Sequence, residues 1–176
     1  KYLAYWQSKP DGGQYKAVED GFARSTGEIM TWLNSDDQFF PDAFEIAAAV
    51  FTERPDIDWL TGRVVNFNED GSVKLIREDI PLWCRSRYLK KDYRSPYLQQ
   101  EGTFWRRSLW EKAGSCMRTD LHLAGDLELW TRFFRHGNLH TLDAALAGYR
   151  LQPNRKIATL LERYHQEADR VLDEEL

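Results

Sequence analysis

The chain is 176 residues long, with 24 Lys and Arg against 28 Asp and Glu and a formal net charge of −4. That length suits one domain with a sizeable core, and 42% hydrophobic with 30% charged residues excludes a disordered chain. The mildly acidic balance excludes a nucleic-acid partner held by bulk charge, the longest apolar run (46–51) is too short to cross a membrane, and Cys84 and Cys116 build no disulfide framework, so a reduced, cytoplasmic setting is the simplest expectation.

The chain starts on Lys1 inside a predicted strand over 2–6, which points to an excised piece or to missing upstream residues. Pro10-Asp11-Gly12-Gly13 is a turn, and a helix follows over 14–25 with Tyr15, Val18 and Phe22 as its buried stripe. A short apolar strand over 29–33 ends in Asn34-Ser35-Asp36-Asp37. Pro41 then opens a helix to residue 51, with Phe44, Ala47, Ala48 and Phe51 inward. Residues 58–66 and 73–78 read as a hairpin around Asn68-Glu69-Asp70-Gly71.

The pattern dissolves over 79–97, where Arg85, Arg87, Lys90, Lys91 and Arg94 stand among aromatics and prolines. A strand over 100–105, a short helix over 108–113, a strong helix over 126–136 and an extended stretch over 139–149 come next. An amphipathic helix over 156–173 closes the chain. This order predicts one α/β domain over 1–176, a mixed sheet with helices on both faces.

In open α/β sheets, ligands bind beyond the carboxyl ends of the strands, and the strand over 29–33 delivers Asp36 and Asp37 to that place. Adjacent carboxylates repel, and a divalent cation would relieve the cost and bridge to a substrate phosphate. The competing reading is a solvated loop whose Asp and Asn side chains make turns and cap the next helix. Asp126 likewise reads as a helix cap or as a carboxylate base on a rigid element, its pKa lowered by the helix dipole. Glu128, four before Arg132, reads as one half of a helix-surface ion pair. The basic stretch 85–94 is a solvated face, a mobile loop over a cleft, or a contact for an anionic acceptor at a membrane surface.

Taken in order, Asp11-Gly12-Gly13-Gln14-Tyr15, Gly27-Glu28, Trp32-Leu33-Asn34-Ser35-Asp36-Asp37 and Phe40-Pro41 resemble the family-two glycosyltransferases of the GT-A fold. So do residues 100–114 and Ala124-Gly125-Asp126-Leu127-Glu128-Leu129-Trp130. The resemblance covers about residues 5–150. It implies an inverting, metal-dependent transfer of a sugar from a nucleoside-diphosphate donor, UDP-sugars being commonest in the family, to a carbohydrate or lipid-linked acceptor. It implies Mg²⁺ or Mn²⁺ on Asp37 with Asp36, donor contacts at Gly12, Gly13 and Asp36, and Asp126 as catalytic base. Gln100, Thr103, Trp105 and Arg106 would line the sugar and acceptor side.

The family's opening β-α-β unit is missing ahead of Tyr2, so this chain is expected to be an incomplete, inactive piece. A hydrophobic sheet edge left open by that gap would favour a homo-oligomer. Glu19 stands where the family has Asn, and Gln152 follows a late Arg150 where the family has His. These departures keep a non-catalytic sugar- or partner-binding relative as the alternative. A metal-assisted phosphoryl hydrolase on Asp36 and Asp37 is a third possibility that lacks further acidic ligands.

Overall fold

The computed structural model describes residues 4–80, 82–91, 98–151 and 156–176, with side chains from residue 160 in the last stretch. The elements follow as α1 (Gln14–Arg24), β1 (Ile29–Met30), β2 (Gln38–Phe39), α2 (Ala43–Glu53), β3 (Trp59–Thr61), β4 (Val65–Phe67) and β5 (Val73–Ile76). After them come α3 (Arg85–Leu89), β6 (Thr103–Arg106), α4 (Arg107–Lys112), α5 (Gly125–Phe133), β7 (Leu139–Thr141), β8 (Ala147–Arg150) and α6 (Lys156–Glu175).

Two sheets form, in the orders β1-β6-β3-β7 and β2-β8-β4-β5. In the first, β3 and β7 are parallel while β6 runs antiparallel to β1 and β3. The carboxyl ends of β1, β3 and β7 therefore meet the start of β6, and the candidate site gathers there.

Strand alternation sorts the core. Trp59 pairs with Trp105 and Leu60 with Phe104, so each pair faces one side of the sheet. On the tryptophan side lie Tyr15 and Phe22 of α1, Leu109 and Trp110 of α4, Leu127, Trp130 and Phe133 of α5, and Ala168, Val171 and Leu172 of α6. On the other side Leu60 and Phe104 pack on Ala43, Ala47 and Phe51 of α2. Helices thus cover both faces, as the sequence pattern predicts. Trp130 stacks on Trp32 and Trp59 at ring distances of 5.8 and 5.7 Å and meets Trp105 edge-on at 5.6 Å, so much of the tryptophan excess is core.

Several expectations change. Residues 4–6 of the expected first strand are not strand, and Tyr5 and Trp6 are exposed, while residues 1–3 lie outside the described residues. The buried stripe of α2 is Ala43, Ala47 and Phe51, at i, i+4 and i+8. That register turns Ala48 to solvent and leaves Phe44 exposed against the Phe39 ring at 4.7 Å.

The expected 58–66 strand breaks in two. Gly62 lies so close to Ala144 O that a Cβ there would sit 2.5 Å away. At this point β3 stays in the first sheet and β4 enters the second, so the hairpin is β4 with β5. The buried Gln99 amide holds the start of β4, accepting from Val65 N and donating to Val65 O, each at 2.8 Å. The closing helix is kinked at Leu160 (φ −124°, ψ 21°) and buries Ala168, Val171 and Leu172. Leu161 is exposed, and the Ile157 side chain lies outside the described residues.

Candidate functional site

Two glycines of positive φ, Gly12 at 85° and Gly13 at 120°, turn the chain into α1. The turn is tied to the acidic loop, since Gln14 Nε2 donates to Asn34 Oδ1 at 2.8 Å. Asn34 Nδ2 in turn donates to Asp37 Oδ2 at 3.1 Å and to Gln100 Oε1 at 3.3 Å. Gln100 completes the link by donating to Trp32 O at 2.7 Å. These bonds join α1, the loop after β1 and the approach to β6 into one polar network that runs from the surface at Gln14 to the buried Gln100.

Asp37 and Asp36 have opposite fates. Asp37 is buried, and its Oδ1 accepts Arg150 N at 2.9 Å. The Arg150 guanidinium donates to Asp36 O at 2.6 Å, Glu69 O at 2.8 Å and Gln38 Oε1 at 3.0 Å, so it braces the loop through a side chain and two main-chain carbonyls. Burial pushes the Asp37 carboxyl up, against those N–H donors. Glu101, also buried, is pushed well above its ordinary range by burial and then by the Asp37 charge. Burial thus raises both carboxyls, Glu101 the further. The Asp36 carboxylate, by contrast, makes no hydrogen bond or ion pair among the described residues.

Asp126 is the second residue of α5, with Ala124 in the capping position. Its Oδ1 accepts Leu127 N at 2.8 Å. Burial nevertheless raises its pKa to about 6, outweighing the backbone donors, so the expected lowering by the helix dipole is overturned. At neutral pH it is mostly ionised yet more basic than an ordinary aspartate, which suits proton abstraction. Its charge also raises Glu101, Tyr15 and Tyr88, so these groups lie near it. Tyr15 fixes the approach to α5 by donating to Leu123 O at 2.9 Å. Its ring lies against Gly125, where a Cβ would come within 2.6 Å, so only glycine fits.

The model of glycosyl transferase family 2 matches residues 5–114. The chain belongs to that family. Two curated relatives, the uncharacterized glycosyltransferases MT1564 and Rv1514c of Mycobacterium tuberculosis strains CDC 1551 and H37Rv, are each 33% identical over 133 residues. Those matches take in 74% of this chain and 47% of each relative, so the chain spans about half the length of the curated relatives it matches. Among solved structures, Staphylococcus aureus TarS 1–349 with UDP-GlcNAc superposes with a TM-score of 0.70 at 16% identity, over 96% of this chain and 48% of that one. The TarS 1–349 complex with UDP gives 0.66 at 17% identity, over 96% and 46%. The fold is accordingly the GT-A α/β fold of this glycosyltransferase family.

Of the residues expected in the glycosyltransferase site, Gly12, Gly13, Asp36, Asp37, Gln100 and Asp126 belong to elements that meet at this edge of the sheet. Thr103, Trp105 and Arg106 do not face it. Thr103 is fully buried, donating to Gln99 O at 2.7 Å and bonded to Thr61 Oγ1 at 3.1 Å. Trp105 is fully buried against Trp32 and Trp130, which leaves no face for a sugar. Arg106 pairs across to Ile29 at the far edge of the sheet. It is consumed there by Ile57 O at 2.9 Å, Phe51 O at 2.6 Å and Glu28 at 3.1 Å.

The sequence departure at Glu19 has a local role, since its side chain accepts Met117 N at 3.2 Å and pairs with Lys16 at 3.0 Å. Glu128 does pair with Arg132, twice at 2.8 Å, but inside the protein rather than on the surface. Two residues of the basic stretch pair with α6, Arg85 with Glu175 and Lys91 with Asp173, each at 2.8 Å. Arg94 and Gln152 lie outside the described residues. Asn34, Glu101, Gln14 and Arg150 are the site residues that motif reasoning underweights. No helix among the described residues is long and apolar enough to cross a membrane.

Proposed function

We propose that this chain carries the catalytic cleft of a glycosyltransferase that moves a sugar from a UDP-sugar to an acceptor hydroxyl with inversion at the sugar. Asp126 takes the hydroxyl proton as the oxygen attacks, and the diphosphate leaves from the opposite side of the sugar carbon. The observation that carries this is a half-buried Asp126 carboxyl made more basic than an ordinary aspartate, together with an Asp36 carboxylate that has no partner among the described residues.

A divalent cation, Mg²⁺ or Mn²⁺, fits this donor set. Such ions are commonly held by one or two carboxylates completed by substrate phosphates and water. Among the described residues no group of three or more His, Cys, Asp or Glu side chains is placed to hold a metal alone. Asp36, whose carboxylate has no partner among the described residues, would take the ion, and Asp37 holds the loop that presents it. When bound, the cation neutralises charge on the leaving diphosphate. Arg150 braces the same loop, Gly12 and Gly13 bring the backbone of the first turn close to the donor, and Gln100 and Glu101 set the wall beside the sugar.

The test is calorimetric titration of UDP into the full-length protein with and without Mn²⁺. Binding that needs Mn²⁺ and is lost in Asp36→Ala, with the melting temperature kept, is the expected result. A full-length protein that binds no UDP under either condition overturns the proposal and favours a partner-binding relative.

A further inference from the structure

The helix α6 reaches the cleft at one point. Glu167, on its inner side and largely buried, places a single oxygen, Oε2, within hydrogen-bond distance of three consecutive main-chain donors. These are His122 N at 3.0 Å, Leu123 N at 2.8 Å and Ala124 N at 3.2 Å. They end at the residue that caps α5, two positions before Asp126. On the opposite side of the same turn, Tyr15 takes Leu123 O. The backbone that delivers Asp126 is thereby clamped through its N–H groups by α6 and through a carbonyl by α1.

We infer that Glu167 is a positioning residue for Asp126, holding the 122–124 turn so that the Asp126 carboxyl stays fixed and dry at the cleft. This rests on the reading of Asp126 as the base. Other α6 contacts near the cleft are side-chain ion pairs, such as Glu174 with Arg118 at 2.7 Å and Arg170 with Asp120 at 3.4 Å. Exposed pairs of that kind contribute little and leave the backbone free. Glu167 differs because its carboxylate is bound to main chain three times. Burial would raise its pKa, and the three donors outweigh that and hold it below the ordinary range, so it stays ionised as an anchor.

A base displaced by about 1 Å loses on the order of a hundredfold in rate, so a clamp two residues away reads out in turnover. It also reads out in the Asp126 titration, because a loosened turn lets water reach the carboxyl and lowers its pKa.

The experiment uses the full-length protein and the variants Glu167→Gln, Glu174→Gln and Asp126→Asn. Three quantities are measured: amide hydrogen exchange, the Asp126 carboxyl titration by carbon-13 NMR without donor, and UDP release from UDP-GlcNAc. Glu167→Gln keeps the shape but weakens the acceptor. It is expected to speed exchange at 122–124 about tenfold while the strands of the first sheet stay protected, to move the Asp126 titration down from about 6, and to lower kcat about tenfold with KM for the donor within about twofold. Glu174→Gln is expected to change none of these.

An unshifted Asp126 titration with unchanged kcat in Glu167→Gln overturns the inference, even if the turn exchanges faster. The two donor-free measurements decide the matter where UDP-GlcNAc is not turned over. Normal turnover in Asp126→Asn would instead remove the base assignment, while exchange and titration still report whether Glu167 holds that turn.

Discussion

The charges of Asp37 and Asp126 both act on Glu101, and burial raises both carboxyls. Their surroundings differ in kind. Asp37 accepts the Arg150 main-chain N–H through one oxygen and the Asn34 amide of its own loop through the other, with the Glu101 carboxyl beside it. Asp126 has, among the described residues, only backbone donors from its own turn. A carboxyl whose lone pairs are taken by fixed partners serves as a joint between loops. A carboxyl desolvated but left without a side-chain partner keeps a lone pair for an incoming proton. The same raised pKa therefore marks scaffold in one place and chemistry in the other, and the hydrogen-bond inventory tells them apart.

The largest effect that would break this contrast is at Asp126. Asp126→Asn should lower turnover by roughly a thousandfold while UDP affinity is unchanged, since removing a general base costs two to four orders of magnitude. Turnover of the wild type should fall as pH drops below about 6, where the carboxyl takes up its proton. Stability moves the other way. The native pKa lies above the unfolded value near 3.9, so the native state binds more protons between about pH 4 and 6. The stabilisation that Asp126 contributes is present below that window and lost as pH rises through 6. Relative to wild type, Asp126→Asn should therefore look better at pH 8 than at pH 4 in urea midpoints. A variant that loses stability equally at both pH values would place Asp126 among the joints.

A smaller effect separates Glu101 from Asp37. Burial and the Asp37 charge both disfavour a charge on Glu101, and Glu101→Gln puts a neutral amide of the same shape there, which should stay within about 1 kcal/mol of wild type. Asp37 must accept from Arg150 N through one oxygen and from Asn34 through the other. Asp37→Asn supplies only one acceptor oxygen and should lose about 1–3 kcal/mol in chemical denaturation. Equal losses in the two variants would mean that the charge of Glu101 matters to the fold as much as the acceptors of Asp37.

Much of this was legible in the chain. The motif order located the acidic loop, the glycine turn and Asp126 because each sits where a strand ends or a helix begins, and turn chemistry is local. Helix α1 and the buried face of α5 followed from apolar spacing. The β6 residues were not legible for the same kind of reason. Phe104 and Trp105 are both large and apolar, so alternation does not say which faces solvent, and only the pairing with Leu60 and Trp59 shows that neither does. Glu101 was hidden inside a segment read for its polar neighbours, although a lone acid at the start of a buried strand is itself a signal of perturbed chemistry. Glu167 was invisible because helical periodicity marks apolar positions and treats a glutamate between them as solvated. Its partners are backbone N–H groups more than 40 residues away, which no side-chain pattern encodes.

The smallest predicted effect concerns the residue that the site lost. Arg106 lies at the edge of the sheet away from the acidic loop, its guanidinium holding Ile57 O and Phe51 O and lying over the Phe51 ring at 5.0 Å. Those bonds fasten the end of α2 to β6, so Arg106→Met, which keeps the stem and removes the donors, should cost about 1–3 kcal/mol of stability. Metal-dependent UDP affinity should be unchanged, because no bond of Arg106 reaches the loop over 34–37. Were Arg106 a donor or acceptor contact, the same variant would weaken UDP or sugar binding while leaving the denaturation midpoint in place. Calorimetry and urea unfolding on one variant thus decide between the two ends of the same strand.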